Sequence, residues 1–182
     1  LNDCLFVGLV EDDDGKISVN SSRYDEDLTR VLENRHSKIF MTEEAFSRIR
    51  LRDETIGDYE AFMRASDASF AESEDKKKDE RAKGKARDLL YILGNKDSTA
   101  PYLEDMGVDS LVDDEAHHYK NSSSTVEFKG AKFLSLPDVS ARGVDMQAKA
   151  WYIRGRSPRK DGVLLLTATP LTSSPLEIYS ML

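Results

Sequence analysis

One cysteine, Cys4, occurs in 182 residues. An internal disulfide is therefore excluded, as expected of a chain that works in a reducing cytoplasm. No apolar run approaches the roughly 18–20 residues needed to span a bilayer, and no basic-then-apolar leader opens the chain. No membrane partner is expected. Positive charge is also in short supply. The net charge of −8 excludes a surface that is a nucleic-acid platform throughout, and leaves room only for a local basic strip. There is no internal repeat and no initiator Met, and the chain enters an apolar run almost at once, as expected of a piece of a larger protein. What is present, 39% hydrophobic and 33% charged residues, suits one globular domain with many surface helices.

Apolar and helical patterns alternate along the chain. "CLFVGLV" (4–10) reads as a strand buried on both faces, and the acidic "EDDDGK" after it as a surface turn. Tyr24, Leu28, Val31 and Leu32 share a helical spacing, with Ser21 or Ser22 as N-cap. "KIFMT" (38–42) reads as a second strand, and Thr42 can cap the helix that follows. The stretch 53–93 reads as helical throughout, on the apolar stripes Ile56, Tyr59, Phe62, Met63 and Ala82, Ala86, Leu89, Leu90, Leu93. "DSLVDDE" and "GVLLLTATP" supply the third and fourth strands. Between them Val144, Ala148, Trp151 and Tyr152 share a helical face, and "SPLEIYSML" starts a last helix at a Ser-Pro pair. Strands alternating with helices predict an α/β fold with a mostly parallel sheet.

The chemistry concentrates in "DSLVDDEAHHYKNSSS" (109–124). Apolar residues lead into Asp114 and Glu115 at the C-terminal end of a strand, where open α/β sheets place their ligand chemistry. Alternate strand residues diverge, so one carboxylate can hold Mg²⁺ through its water shell while the other polarises an attacking water. A solvated acidic strand end is the bland alternative. A transition-metal site built from Asp113, Asp114, Glu115, His117 and His118 is another, although five ligand types within six residues cannot all converge and no H-E-x-x-H spacing is present.

The tetrapeptide Asp114-Glu115-Ala116-His117 resembles motif II, the Walker B box, of superfamily 2 helicases and translocases. "DEAHHYKN" looks like the form found in Swi/Snf-type and restriction-type DNA translocases. "LLLTATPLTSSPLEIYSML" (164–182) resembles motif III of the same group, and "KIFMTEEAFSRI" is similar to a segment upstream of motif II. The resemblance implies a partial RecA-like (P-loop NTPase-type) motor domain that uses Mg²⁺ and ATP and acts on DNA. It makes Asp114 the Mg²⁺-ATP carboxylate and Glu115 the activator of water. His117 becomes the coupling residue, with Thr167 and Thr169 on the receiving side. The stretch 19–46 is also similar to very large phage or mobile-element proteins that join such a motor to a DNA methyltransferase.

The implied organisation is a first part of the core at 1–52, a helical insertion at 53–108, and a core segment carrying both motifs at 109–182. Asp113 stands where the family has Val or Ile. No G-x-x-x-x-G-K-[ST] loop occurs; the nearest candidate, Gly15-Lys16-Ile17, has Val10 in place of the first Gly. Without that loop the β- and γ-phosphates have no cradle, so this chain alone is expected to be inactive and to need the remaining motor segments as partners. Two basic stretches could touch DNA. One comprises Lys76, Lys77, Lys78, Arg81, Lys83, Lys85 and Arg87, which Glu72, Glu74 and Asp75 balance in part. The other comprises Arg154, Arg156, Arg159 and Lys160. Two further classes stay open: a non-catalytic interaction module, and a metal-dependent nuclease built on Asp113, Asp114 and His117.

Overall fold

The computed structural model describes residues 3–66, 84, 88–94, 96, 99–119 and 140–169. They divide into two units, Leu1–Arg52 with Lys96–Val108, and Asp53–Asn95 with Asp109–Leu182. Helices and short, mainly parallel strand pairs make up both, so the α/β class expected from the sequence is the one observed.

In the first unit the apolar run at 4–10 is not one strand. β1 (Cys4–Phe6) ends before Gly8, where the chain turns with φ +69° into β2 (Leu9–Glu11). β2 then pairs antiparallel with β3 (Ile17–Val19). The cause is local. A Cβ at position 8 would sit 2.0 Å from Cε1 of the buried Tyr24 ring, so only glycine lets the backbone pass there. The Gly8 N–H donates to Asp27 Oδ2 at 2.9 Å. Asp27 is buried on α1 (Tyr24–Val31), and its other oxygen lies 3.3 and 3.4 Å from the guanidiniums of Arg23 and Arg30. The acidic turn is built by Asp12, whose Oδ1 accepts the N–H groups of Asp14 and Lys16.

Residues Ser21–Arg23 form a 3₁₀ turn ahead of α1. The capping side chain is Asn20, which accepts the Ser22 N–H at 3.1 Å; Ser21 and Ser22 do not fill that role. Tyr24, Leu28 and Val31 face inward as their spacing predicts, whereas Leu32 lies past the helix end and is exposed. β4 (Lys38–Phe40) runs parallel to β1, with Leu5 opposite Ile39. Thr42 caps α2 (Glu43–Arg48) by accepting the Ala45 N–H at 3.2 Å.

The second unit holds α3 (Asp53–Ser66), a helical stretch at 88–94 (α4), β5 (Leu111–Asp114), α5 (Ala141–Arg156) and β6 (Val163–Leu166). Ile56, Tyr59 and Met63 of α3 and Leu89 and Leu93 of α4 are buried; Phe62 and Leu90 are exposed. Ala82, Ala86, both halves of the charge run at 72–83 and 85–87, the loop after Tyr119 and the helix expected in "SPLEIYSML" lie outside the described residues.

β5 and β6 are parallel, with Leu111 opposite Val163 and Asp114 opposite Leu166. Parallel neighbours need a crossover connection, and α5 lies within it. Ser140 caps α5, accepting the Gly143 N–H at 2.9 Å. Trp151 on this helix meets Tyr59 and Phe62 of α3, with ring centroids 5.5 and 5.7 Å apart. The Tyr59 hydroxyl donates to Gln147 Oε1 at 3.0 Å, and burial pushes its pKa above the ordinary phenol value. α5 also buries an ion pair that its periodicity does not announce: Lys149 Nζ lies 2.8 Å from Asp145 Oδ2, with both residues in the interior.

Candidate active site at the ends of β5 and β6

Alternation along β5 turns Leu111 and Asp113 inward and leaves Val112 and Asp114 exposed. At the end of the strand Asp114 Oδ1 accepts the N–H of Glu115 at 3.1 Å. Glu115 then takes a left-handed backbone, φ +66°, which is strained for a residue with a Cβ. The chain continues directly into a 3₁₀ turn, Ala116–Tyr119, whose buried Ala116 and Tyr119 fasten it down. His118 donates its backbone N–H to the Glu115 carbonyl at 3.0 Å. That anchoring overrides the local preference at Glu115.

The pairing of Asp114 with Leu166 brings the next residues, Glu115 and Thr167, out of the two strands side by side. His117 stands between them. Its Nδ1 lies 3.1 Å from Glu115 Oε2 and 3.3 Å from Thr167 Oγ1. Thr169 joins through its backbone, donating its N–H to Thr167 Oγ1 at 3.1 Å. The His118 ring packs against that of His117 with centroids 4.3 Å apart. Asp114, Glu115, His117, Thr167 and Thr169 are thus consecutive in space although 53 positions separate Asp114 from Thr167.

The basic residues lie elsewhere in the same unit. Arg154 and Arg156 end α5, and Arg159 and Lys160 sit in the turn that enters β6. They belong to the N-terminal end of the β5–β6 pair. The carboxylates are at the opposite end, four residues or roughly 13 Å along the strand at about 3.3 Å per residue. A cavity of about 450 Å³ opens at the basic end, lined by Asp109, Ser110, Arg156, Ser157, Pro158, Asp161 and Gly162. Several of these cations are already engaged. Arg156 donates to the Tyr152 hydroxyl at 3.0 Å, Arg159 lies 3.0 Å from Asp161, and Arg154 Nε donates to the Lys160 carbonyl at 3.3 Å.

Asp113 is the residue whose environment sequence reasoning left open. It points into the unit with Leu111 and is buried, so it does not share the solvent-facing side on which Asp114 lies. Among the described residues no three His, Cys, Asp or Glu side chains come together as a metal-holding group. The set Asp113, Asp114 and His117 is accordingly divided between two faces. No helix among the described residues is long and apolar enough to cross a membrane.

The chain is similar to a phage protein. Over 162 residues it is 30% identical to Defense against restriction protein B of Escherichia phage P1, an alignment that takes in 85% of this chain and 7% of that protein. The chain thus spans a small part of its relative's length. No family model matches it, and no solved structure matches it either.

These findings correct the resemblance to superfamily 2 DEAH-type helicases and translocases, together with the phage helicase–methyltransferase likeness attached to it. No model of such a domain recognises the chain, and the relative's name speaks of defence against restriction. The physical reason lies in how little the two boxes specify. An apolar strand ending in acids, and another ending in a Thr-x-Thr turn, describe a strand end that any parallel sheet can build. They carry local chemistry and leave the rest of the architecture undetermined.

Proposed function

We propose that this chain is the part of an ATP-driven, DNA-acting protein that supplies the hydrolytic end of the nucleotide site. The observation that carries the reading is the line Asp114, Glu115, His117, Thr167 assembled across the ends of two adjacent parallel strands. The phage relative is named for defence against restriction, which lends support to an action on DNA; a cytoplasmic setting belongs to the same proposal.

The donor chemistry fits Mg²⁺. Asp114 is an exposed carboxylate oriented by the Glu115 N–H, and Mg²⁺ is commonly held by one or two carboxylates together with waters and substrate phosphates. When bound, Mg²⁺-ATP supplies an electrophilic phosphorus and a neutralised leaving group. The chain's own residues do the rest. Glu115, more than half exposed along its side chain, accepts the proton of the attacking water. His117 holds the position of that carboxylate, and Thr167 on the neighbouring strand senses the ring. The phosphate cradle is the contribution of partner segments, because no phosphate-binding glycine loop occurs in these 182 residues. Arg154, Arg156, Arg159 and Lys160, at the far end of the strands, are the candidates for DNA backbone contact.

The test is DNA-stimulated ATP hydrolysis by the intact protein that carries this segment. Glu115→Gln should lower turnover by about 10²–10⁴-fold, the usual worth of a positioned general base, while nucleotide binding persists. Turnover retained in that variant overturns the assignment. Metal-dependent DNA cleavage without ATP would point to nuclease chemistry instead.

A further inference from the structure

His117 presents one ring nitrogen to two oxygens. Nδ1 lies 3.1 Å from the Glu115 carboxylate and 3.3 Å from the Thr167 hydroxyl. A neutral imidazole carries its proton on one nitrogen only, and the other keeps a lone pair. The two neighbours make opposite demands. The Thr167 hydroxyl can either donate to a lone pair on Nδ1 or accept from an N–H there. The carboxylate has no such choice, because it only accepts when ionised, and a lone pair facing it is repelled.

Thr167 Oγ1 is itself partly committed. One of its acceptor positions takes the Thr169 N–H at 3.1 Å, which leaves a second acceptor position and the hydroxyl proton. An N–H on His117 Nδ1 fills that second position and releases the Thr167 proton to donate elsewhere.

We propose that Glu115 is the positioning residue that holds His117 as the neutral Nδ1–H tautomer. Nδ1–H then donates to Thr167, and Nε2 keeps its lone pair. Among the described residues the hydrogen bond and ion pair of the His117 ring are made at Nδ1 and not at Nε2, and His117 retains about a quarter of its side-chain surface. The lone pair is therefore an acceptor offered to a donor in the site, such as a water or a hydroxyl of a bound molecule. When the Glu115 carboxylate turns away toward its own proton donor, the repulsion is removed. Solvent water can then take the Nδ1 proton and return one to Nε2, and the Thr167 hydroxyl donates to the lone pair left on Nδ1. The two strands thereby exchange information through one proton position. The tautomer is set by residues within this unit, whereas its use in a reaction cycle rests on the ATP-hydrolysis reading.

Ring-nitrogen NMR on the histidine-¹⁵N-labelled chain reads this directly, at one fixed pH and without nucleotide. His36 and His118 serve as internal references, and a His117→Asn variant assigns the signals. In the wild type Nδ1 should resonate as the protonated nitrogen and Nε2 as the lone-pair nitrogen. Glu115→Gln should reverse that pattern, and Glu115→Gly, which suits the left-handed backbone, should reverse it as well. Thr167→Val should leave it unchanged, since the carboxylate suffices. An unaltered pattern in both Glu115 variants overturns the proposal, as does reversal by Thr167→Val alone or a wild-type ring protonated on both nitrogens. Loss of ATP turnover in Glu115→Gln with no change of tautomer would sink this inference and spare the functional reading. The reverse outcome would do the opposite.

Discussion

Gly8 and Glu115 share a positive φ of nearly the same size, +69° and +66°, each just beyond the end of a parallel strand. At Gly8 the residue obeys the backbone. The left-handed turn is filled by the one residue with no Cβ, and the N–H is fixed by the buried Asp27 carboxylate. At Glu115 the residue defies the backbone, and its carboxylate is left largely exposed beside an imidazole. The surrounding polar groups differ in the same sense. After β1 and β4, Asp27 and Thr42 spend their oxygens on a turn and a helix cap. After β5 and β6, Asp114 accepts the adjacent N–H, while Thr167 and Glu115 converge on His117. Strain tolerated where polar groups remain available is a reason to look for function, and strain relieved by glycine is architecture.

The comparison breaks most visibly if a Cβ is placed at position 8. Gly8→Ala forces that atom into the ring of Tyr24, which is fully buried and has no room to withdraw. Overpacking of this kind costs about 1–3 kcal/mol and the left-handed conformation about 1–2 more. Denaturant unfolding of the chain should therefore register a loss of roughly 2–5 kcal/mol. A loss below about 1 kcal/mol would mean that the β1–β2 turn rearranges freely and that the strand end is not fixed as described.

The converse substitution sharpens the contrast. Glu115→Gly removes the left-handed penalty of about 1–2 kcal/mol and adds back about 0.5–1 kcal/mol of chain entropy. The exposed contact with His117 is worth little. The same unfolding measurement should show a net gain of roughly 0.5 kcal/mol, accompanied by loss of whatever turnover the intact protein supports. Destabilisation by Glu115→Gly would show that the side chain is structural and that the strand end resembles the one at Gly8 after all.

The α/β class was legible because apolar runs and helical spacings are local signals. That Thr42, Asp114, Glu115 and Thr167 stand at or just past strand ends was legible because each follows an apolar run. What escaped depends on contacts distant in sequence. The break at Gly8 is imposed by Tyr24, sixteen residues on. The buried pair of Asp145 and Lys149 is not marked by the helical spacing of Val144, Ala148, Trp151 and Tyr152; charge carries no mark of whether it will be paired inside. The left-handed backbone at Glu115 follows from the anchoring of Ala116 and Tyr119. The opposite placement of Arg154, Arg156, Arg159 and Lys160 required knowing which way β6 runs beside β5. Short boxes suggested a family, and strand ends of this chemistry do not by themselves define one.

Another small effect concerns how the unit containing β1 and β4 answers acid. Asp25, at the start of α1, is subject to opposing influences. Partial burial raises its pKa, but the Thr99 hydroxyl at 2.7 Å and the Arg48 guanidinium at 3.0 Å outweigh that and hold it below its ordinary 3.8. A carboxylate depressed on folding contributes stability above its unfolded pKa and loses it as pH falls through the folded value. The contribution is therefore complete at pH 7 and disappears below about pH 3.8. Arg48→Ala, which leaves the carboxylate with one fewer partner, should cost about 0.5–1 kcal/mol at pH 7, as for a partly exposed charged hydrogen bond. At pH 2 the variant and the wild type should unfold at nearly the same denaturant concentration. An equal loss at both pH values would assign the role of Arg48 to its packing on the Tyr24 ring, 5.4 Å from the centroid, and remove Asp25 from the acid response.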